Sequence, residues 1–183
     1  MRTMAAVIVL VLLTARAVAA DSYPTVHLAV HVAAQHNSLE LETGNPSDWG
    51  PRYELTVGFQ PIEQISIWGV AAESSYHASG LVDIERTHYD IDVTDEWLGL
   101  RLLFHPVRYL FVGAGYSKVY TTQKFPAATE DSEHTTWEFV VGSNVYQTGH
   151  VTLQALVTAG EYDRFFGAQE HVSFYSLGAG VQF

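Results

Sequence analysis

The chain ends in SLGAGVQF, residues Ser176 to Phe183. Counting back from the end, apolar residues recur at every second position, and the residues between them are small or polar. A period of two is typical of a β-strand with one apolar face. Terminal residues usually fray in water, and an apolar face there gains nothing. The stretch therefore predicts a strand whose apolar face is covered by something other than water.

Seven earlier runs alternate in the same way, each roughly as long as the nine to eleven residues that a tilted strand needs to cross a bilayer. In chain order they are TVHLAVHVA, RYELTVGFQ, EQISIWGVAA, WLGLRLLFH, RYLFVGAGYS, WEFVVGSNV and VTLQALVTA. The sequence therefore predicts eight strands.

The connections between these runs alternate between short and long. The short connections are 61–62 between runs two and three, 105–107 between runs four and five, and 147–149 between runs six and seven. The long connections are 34–51, 73–96, 120–136 and 160–170. This alternation predicts antiparallel neighbours with all long loops at one end. The expected fold is all-β, an eight-stranded antiparallel up-and-down transmembrane β-barrel with short periplasmic turns and long extracellular loops. Lipid would cover the apolar face, and pairing of the last strand with the first would leave no open edge.

The first twenty residues have a different character from the rest. Arg2 precedes an apolar run from Ala5 to Leu13, and small residues follow at Ala17 to Ala20. This order is typical of a secretory signal peptide, and the apolar run is too short to span a membrane as a helix. We expect residues 1–20 to be cleaved and residues 21–183 to form the barrel.

Composition narrows the class of partner. Nine basic against twenty acidic residues give a net charge of −11, which argues against binding nucleic acid. There is no cysteine, so no disulfide can form. No cofactor is expected.

The C-terminal stretch also resembles the C-terminal signal by which bacterial outer-membrane proteins are assembled. Its specified positions are matched by Ser176, Gly178, Val181 and Phe183. The whole mature chain resembles the small eight-stranded outer-membrane barrels, the family of the OmpA transmembrane domain, OmpX, Ail and the opacity proteins. LGLRLLF and FVGAGYS look like the fourth and fifth strands of such barrels. The resemblance implies an integral, monomeric outer-membrane protein of a Gram-negative bacterium. It would be inserted by the barrel-assembly machinery and surrounded by outer-membrane lipids and lipopolysaccharide.

Alternation places four charged residues inside the barrel: Arg52, Glu54, Arg101 and Glu138. Charge on the lipid face costs about 2–4 kcal/mol at the midplane, and a buried charge needs a partner. We expect Arg101 to pair with Glu54, Glu138 or both. Because an eight-stranded barrel is just wide enough for side chains to fill it, the expected lumen is a polar plug. A narrow ion-conducting channel is the alternative.

Aromatic residues near the strand ends predict girdles at the membrane interfaces. The residues assigned to them are Tyr53, Trp97, Tyr109, Tyr116, Trp137 and Tyr175.

No metal site is expected. His27 and His31 lie four residues apart on one strand, about 13 Å, too far to share an ion whose ligands lie near 2 Å. The acidic long loops, which include Asp95, are expected to form a solvated rim, with divalent cations shared with lipopolysaccharide as the alternative.

Two further functions remain open beside a non-enzymatic structural or surface-interaction role. His77 and Ser79 form an H-x-S pattern like that of lipid A deacylases of the PagL type, with Asp83 or Glu85 as a third member. A periplasmic lipocalin-like binding barrel would alternate in the same way with its faces inverted. Finally, HYDIDVTDE, residues 88–96, is expected to extend strand four above the membrane, where its edge could pair with an extracellular partner.

Overall fold

Eight strands make up nearly all of the described chain. The computed structural model describes residues 24–40, 47–82, 87–125, 129–165 and 169–183. The expected signal peptide lies outside these residues. The strands are β1 (Thr25–Glu40), β2 (Ser47–Ile62), β3 (Ile65–Val82), β4 (Thr87–Val107), β5 (Leu110–Lys124), β6 (Thr129–Thr148), β7 (Val151–Phe165) and β8 (Gln169–Gln182).

The strands form a closed barrel in which each pairs antiparallel with its neighbours in sequence, and β8 pairs with β1. The seam extends to the last residue, since the backbone N–H of Phe183 donates to the carbonyl of Leu28 at 2.7 Å and Leu28 donates back at 3.1 Å. The expected fold is therefore confirmed. Because β8 pairs with β1 on one side and with β7 on the other, its backbone hydrogen-bonding groups are satisfied within the barrel and it has no open edge.

Among the described residues, no helix is long and apolar enough to cross a bilayer.

The four connections expected to be long loops are mostly strand. β4 alone has 21 residues, roughly 70 Å along the strand at 3.3 Å per residue. Even when tilted by about 40°, such a strand rises about 50 Å, twice the height of an apolar band of about 25 Å. The barrel wall therefore continues well beyond the membrane at the loop end. Of the expected extension of strand four through residues 88–96, residues 92–96 belong to this wall, and residues 88–91 continue beyond it in a hairpin with β3.

The outer surface of the barrel is apolar in its middle section. Leu100 is 63% exposed and Phe139 is 69% exposed, although both are large hydrophobic residues. The charged residues of the same strands, such as Arg101 and Glu138, are buried inside. A lipocalin-like barrel in water would show the opposite arrangement, so that alternative is wrong.

The lumen contains two apolar layers of buried side chains. The layer nearer the periplasmic turns, which we call the lower layer, consists of Trp68, Leu103, Phe111, Val140 and Leu156. The layer nearer the loop end, the upper layer, consists of Ala72, Tyr76, Val93, Trp97, Val119, Tyr162, Val172 and Phe174.

Large lumen side chains lie over glycines of neighbouring strands. A Cβ on Gly142 would meet the Phe111 ring at 2.1–2.9 Å, and a Cβ on Gly180 would meet the His31 ring at 2.1 Å. Neither position has room for a larger residue, which explains glycine inside these strands. In the β6–β7 turn the reason is conformational, since Gly149 has a φ of 54°.

Candidate functional site

The four buried charges form one cluster in the middle of the lumen. Arg101 donates from Nε to Glu138 Oε1 at 2.8 Å and from Nη2 to Glu54 Oε2 at 2.7 Å. Its Nη1 also donates to Glu54. Arg101, which the sequence analysis paired with Glu54, Glu138 or both, therefore contacts both carboxylates.

Arg52 completes the cluster. Its Nη2 donates to Glu54 Oε2 at 3.2 Å and lies 3.5 Å from Glu138 Oε2, while its Nη1 donates to Gln35 Oε1 at 3.0 Å. Two cations therefore face two anions, and the cluster has no net charge. All four side chains are almost completely excluded from solvent. Such a neutral, mutually hydrogen-bonded arrangement is what makes buried charge tolerable.

The cluster contacts both apolar layers. The guanidinium of Arg52 lies 4.7 Å from the ring centroid of Trp97 in the upper layer. On the other side, His31 lies 3.5 Å from Glu54 and stacks on Trp68 of the lower layer, with ring centroids 6.1 Å apart. The backbone provides the space, because a Cβ on Gly115 would fall within 3.0 Å of both Arg101 and Glu138. The lumen thus contains apolar, charged and apolar layers in succession.

Asp95 lies in the lumen as well, and the sequence analysis placed it wrongly in an acidic outer loop. It is fully buried and accepts hydrogen bonds from Thr121 at 2.6 Å and from the Tyr162 hydroxyl at 2.9 Å. The sequence could have predicted this position, because Asp95 and Arg101 lie an even number of positions apart on β4 and therefore lie on the same face of the strand. Those two donors stabilise a carboxylate that the barrel wall shields from water.

Trp97 does not belong to an aromatic girdle, and that assignment was wrong. It is 3% exposed and packs against Tyr162 and Phe174 inside the barrel. Trp137, by contrast, is 65% exposed on the outer surface. Trp97 has inward parity, and closeness to a strand end does not override parity. The other residues assigned to girdles lie on the outer surface: Tyr53, Tyr109, Tyr116, Trp137 and Tyr175.

The residues of the expected assembly signal lie in β8 and just beyond it. Ser176 is buried and shares a hydrogen bond of 2.6 Å with Thr158. Gly178 faces Ala33, whose Cβ would lie 2.7 Å from a Cβ added there. Phe183 closes the seam, and its side chain is exposed on the outer surface along with that of Leu177. Their role in assembly stays a prediction.

Polar side chains fill the periplasmic end of the lumen. Gln154 Oε1 accepts a hydrogen bond from His31 Nε2 at 3.0 Å, and Gln154 Nε2 donates to Gln182 Oε1 at 2.8 Å. Gln182 in turn lies 3.1 Å from His27 Nδ1. His27 and His31 thus bond to amides. Within the described ranges, no group of three or more potential ligands is arranged to hold a metal ion.

The H-x-S pattern lies on β3 near the loop end. His77 Nδ1 lies 3.0 Å from Asp92 Oδ1 of β4, and both side chains are exposed. Ser79 pairs in the backbone register with Asp90, and its side chain lies outside the described part of the chain, as do Asp83 and Glu85. The sequence analysis missed Asp92 as the partner of His77 because cross-strand register decides which acid lies opposite.

Comparisons with known proteins agree with this architecture. The family model of the outer membrane protein β-barrel domain matches residues 5–183. A search of curated proteins finds no match.

Solved structures of low sequence identity share the fold. Neisserial surface protein A is 15% identical, with 85% of this chain and 95% of that chain covered and a TM-score of 0.59. Ail of Yersinia pestis, in complex with the heparin analogue sucrose octasulfate, is 12% identical, with 86% and 99% covered and a TM-score of 0.57. OprG of Pseudomonas aeruginosa is 12% identical, with 88% and 98% covered and a TM-score of 0.51. With eight strands in a closed ring, an apolar exterior and a family match over nearly its whole length, this chain belongs to the outer membrane protein β-barrel family and is an integral protein of the outer membrane.

Proposed function

We propose that the protein is a non-conducting, non-enzymatic barrel with a structural or surface-interaction role in the outer membrane. The observation that carries the proposal is the layered lumen. The cluster of Arg52, Glu54, Arg101 and Glu138 is almost completely buried between two layers of packed apolar side chains. An ion crossing the lumen would have to displace aromatic side chains and separate charge-assisted hydrogen bonds, which are the strong ones.

Conductance of the refolded mature chain in planar bilayers tests the proposal. We expect no discrete current steps from the wild type. Glu138→Gln leaves an unbalanced cation in the lumen, and any current that appears only in this variant would support the charge cluster as part of the plug. A reproducible single-channel level in the wild type would overturn the closed lumen and establish the narrow channel instead.

The hairpin of β3 and β4 supports the surface-interaction part of the role. These two strands pair as far as Val82 and Thr87. In the described part of the chain, the pairing of β3 with β2 ends at Ser74, and the pairing of β4 with β5 ends at Asp92. Beyond those points the hairpin offers strand edges to an extended segment of an extracellular partner.

Shortening this hairpin tests its role. Cells that display the wild type are compared, for attachment to immobilised matrix proteins and to one another, with cells that display a variant lacking residues 78–90. We expect attachment to fall in the variant at equal surface abundance. A variant shortened at 126–128, between β5 and β6, is the control. Equal attachment of all three would remove the hairpin from the proposed role.

A second candidate function is hydrolysis of a lipid ester, which the contact between His77 and Asp92 supports. A carboxylate that contacts the Nδ1 of an imidazole orients it to act as a base. Residues two apart on a strand share a face, which places Ser79 on the same face of β3 as His77. The serine hydroxyl would attack the ester carbonyl, and the imidazole would take its proton and pass it to the leaving alcohol, which leaves an acyl-serine. Water, deprotonated by the same imidazole, would then attack the acyl-serine, release the fatty acid and return the proton to the serine oxygen.

Mass spectrometry of lipid A from expressing cells separates the two candidates. The non-enzymatic proposal predicts the same acyl pattern with and without the protein. Loss of one acyl chain in cells with the wild type, abolished by Ser79→Ala and lowered by Asp92→Asn, would establish the hydrolase.

A further inference from the structure

Three rings lie side by side on the outer surface where β8, β1 and β2 meet. His36 of β1 is the register partner of both Trp49 of β2 and Tyr175 of β8. The ring centroids of His36 and Tyr175 are 4.8 Å apart in a stacked arrangement, and the Trp49 ring meets Tyr175 edge-on at 5.4 Å. Trp49 is 53% exposed and Tyr175 is 46% exposed. The row therefore presents aromatic surface at the loop-side interface.

A row of three hydroxyls lies directly beside the rings, one pleat closer to the loop end. Ser38 of β1 is the register partner of both Ser47 of β2 and Ser173 of β8. All three face outward, because each lies two residues from a ring of the first row. Each hydroxyl can donate one hydrogen bond and accept two. On the membrane side of the rings the corresponding row is apolar and consists of Pro51, Ala34 and Leu177.

No residue of these nine carries a fixed charge, whereas the outer surface of the neighbouring strands carries acidic residues. Glu73 and Glu96 are direct register partners on β3 and β4. On the β8 side, Glu161 of β7 is the register partner of Ser173 and borders the serine row. Phosphate would be repelled from these neighbours. A neutral polar group would be accepted, and Glu161 could accept a hydrogen bond from it.

We propose that this strip binds the uncharged sugar headgroup of an outer-leaflet glycolipid. A pyranose has an apolar CH face, which packs by dispersion on exposed rings, and its hydroxyls lie at the edge of the ring, where the serine row can bond them. The strip lies at headgroup level, where amphipathic rings are favoured. The acyl chains would continue over the apolar row below. The inference rests on the location in the outer membrane and is independent of the proposed closed lumen.

Native mass spectrometry of the full mature chain in amine-oxide micelles tests the site, with monoglucosyl diacylglycerol as the probe and diacylglycerol of the same chains as the reference. We expect the glucosyl lipid to bind the wild type about tenfold more tightly than the reference, since one aromatic contact and one or two hydrogen bonds together supply about a factor of ten. Trp49→Leu should lose most of this preference, and Ser38→Ala should lose about threefold of it.

Trp137→Leu is the matched control, because Trp137 is a tryptophan on β6 that is at least as exposed as Trp49 and has Tyr116, with no serine row, beside it. Its preference should equal that of the wild type, and added salt should leave all values unchanged. Equal binding of the two lipids by the wild type would overturn the proposal. So would an equal loss in Trp137→Leu, or binding that falls with salt, which would indicate recognition of charge. Folded variants are identified by the change in gel mobility that a folded barrel undergoes when it is heated. If Trp49→Leu does not fold, the result for Ser38→Ala decides the test.

Discussion

Removing Arg101 should destabilise the barrel more than removing almost any other side chain. Arg101 donates to Glu54 and Glu138 through all three guanidinium nitrogens, and the remaining cation, Arg52, lies 3.2 and 3.5 Å from the same two carboxylates. Arg101→Met keeps most of the volume but leaves two buried anions facing one cation. Breaking a buried ion pair in this way costs about 3–5 kcal/mol. We therefore expect a loss of about 4 kcal/mol, a factor of about a thousand in the unfolding equilibrium.

The double variant makes this prediction specific. Glu138→Gln alone leaves two cations facing one anion and should cost about 3 kcal/mol. Together with Arg101→Met it leaves Arg52 and Glu54, a balanced pair at 3.2 Å. Because the charges are balanced again, the double variant should lose no more than Arg101→Met alone. The coupling between the two sites should then be about 3 kcal/mol, well above the scatter of about 0.5 kcal/mol for independent sites.

Urea unfolding in phosphatidylcholine vesicles, followed by tryptophan fluorescence and gel mobility, measures these free energies. The exposed pair of Lys118 and Glu133, 2.6 Å apart on the outer surface, is the matched control. Lys118→Met and Glu133→Gln should show much weaker coupling than the buried pair, because water screens an exposed pair. Additive losses for Arg101→Met and Glu138→Gln would refute the reasoning, since they would mean that water in the lumen solvates the cluster.

Three further predictions concern side chains at other levels of the barrel. Gly142→Ala should cost about 1–3 kcal/mol by overpacking, since its Cβ would meet the Phe111 ring at 2.1 Å. Gly69→Ala, whose Cβ would have its nearest neighbour 3.8 Å away, should change stability little. The midpoint temperatures of the gel shift measure the two effects, and equal midpoints for the two variants would contradict the prediction. Trp97→Leu should destabilise the barrel by about 2–4 kcal/mol and Trp137→Leu by less than about 1 kcal/mol. Brominated lipid should quench the fluorescence of Trp137 but not that of Trp97. Quenching of both would place Trp97 in the girdle. Hydrogen bonds to Glu133 and, to a lesser extent, to Tyr120 raise the pKa of Lys118, so the ion pair is fully formed below the ordinary lysine pKa and is lost as pH rises through the raised value. NMR titration of the amine should show a smaller upward shift in Glu133→Gln than in the wild type, and an equal shift would contradict the assignment.

The fold could be predicted because lipid imposes a strict alternation on each strand. Residues such as Leu100 and Phe139 must face outward, and a charge such as Arg101 one position away must then face inward. The same parity applied to β4 and β7 would have placed Trp97, Asp95 and Tyr162 in the lumen. Closeness to a strand end does not override this parity, although it suggested a girdle position for Trp97 and a loop position for Asp95.

Strand length was harder to predict for a physical reason. Above the membrane the outer face meets water, so residues such as Lys118 and Glu133 replace the apolar ones and the alternating hydrophobic signal ends while the hydrogen-bonded wall continues. Cross-strand contacts were beyond reach because they depend on the register of strands far apart in sequence. Backbone pairing, rather than any local pattern, places Asp92 opposite His77. It also places Trp49 and Tyr175 on either side of His36.

The close fit of large side chains over glycines has a consequence for how the ring is joined. At the seam, His31 lies over Gly180 and Ala33 faces Gly178, so both contacts exist in only one alignment of the two terminal strands. A slip of two residues keeps every apolar side chain on the correct face, so burial of apolar surface in lipid would not distinguish it from the native alignment. In one direction, that slip would move the imidazole of His31 off Gly180 and against Gln182, and in the other direction it would place Ala33 against Ser176 in place of Gly178. Steric contacts at the seam thus favour one alignment of the two terminal strands over alignments that lipid contact alone would not distinguish.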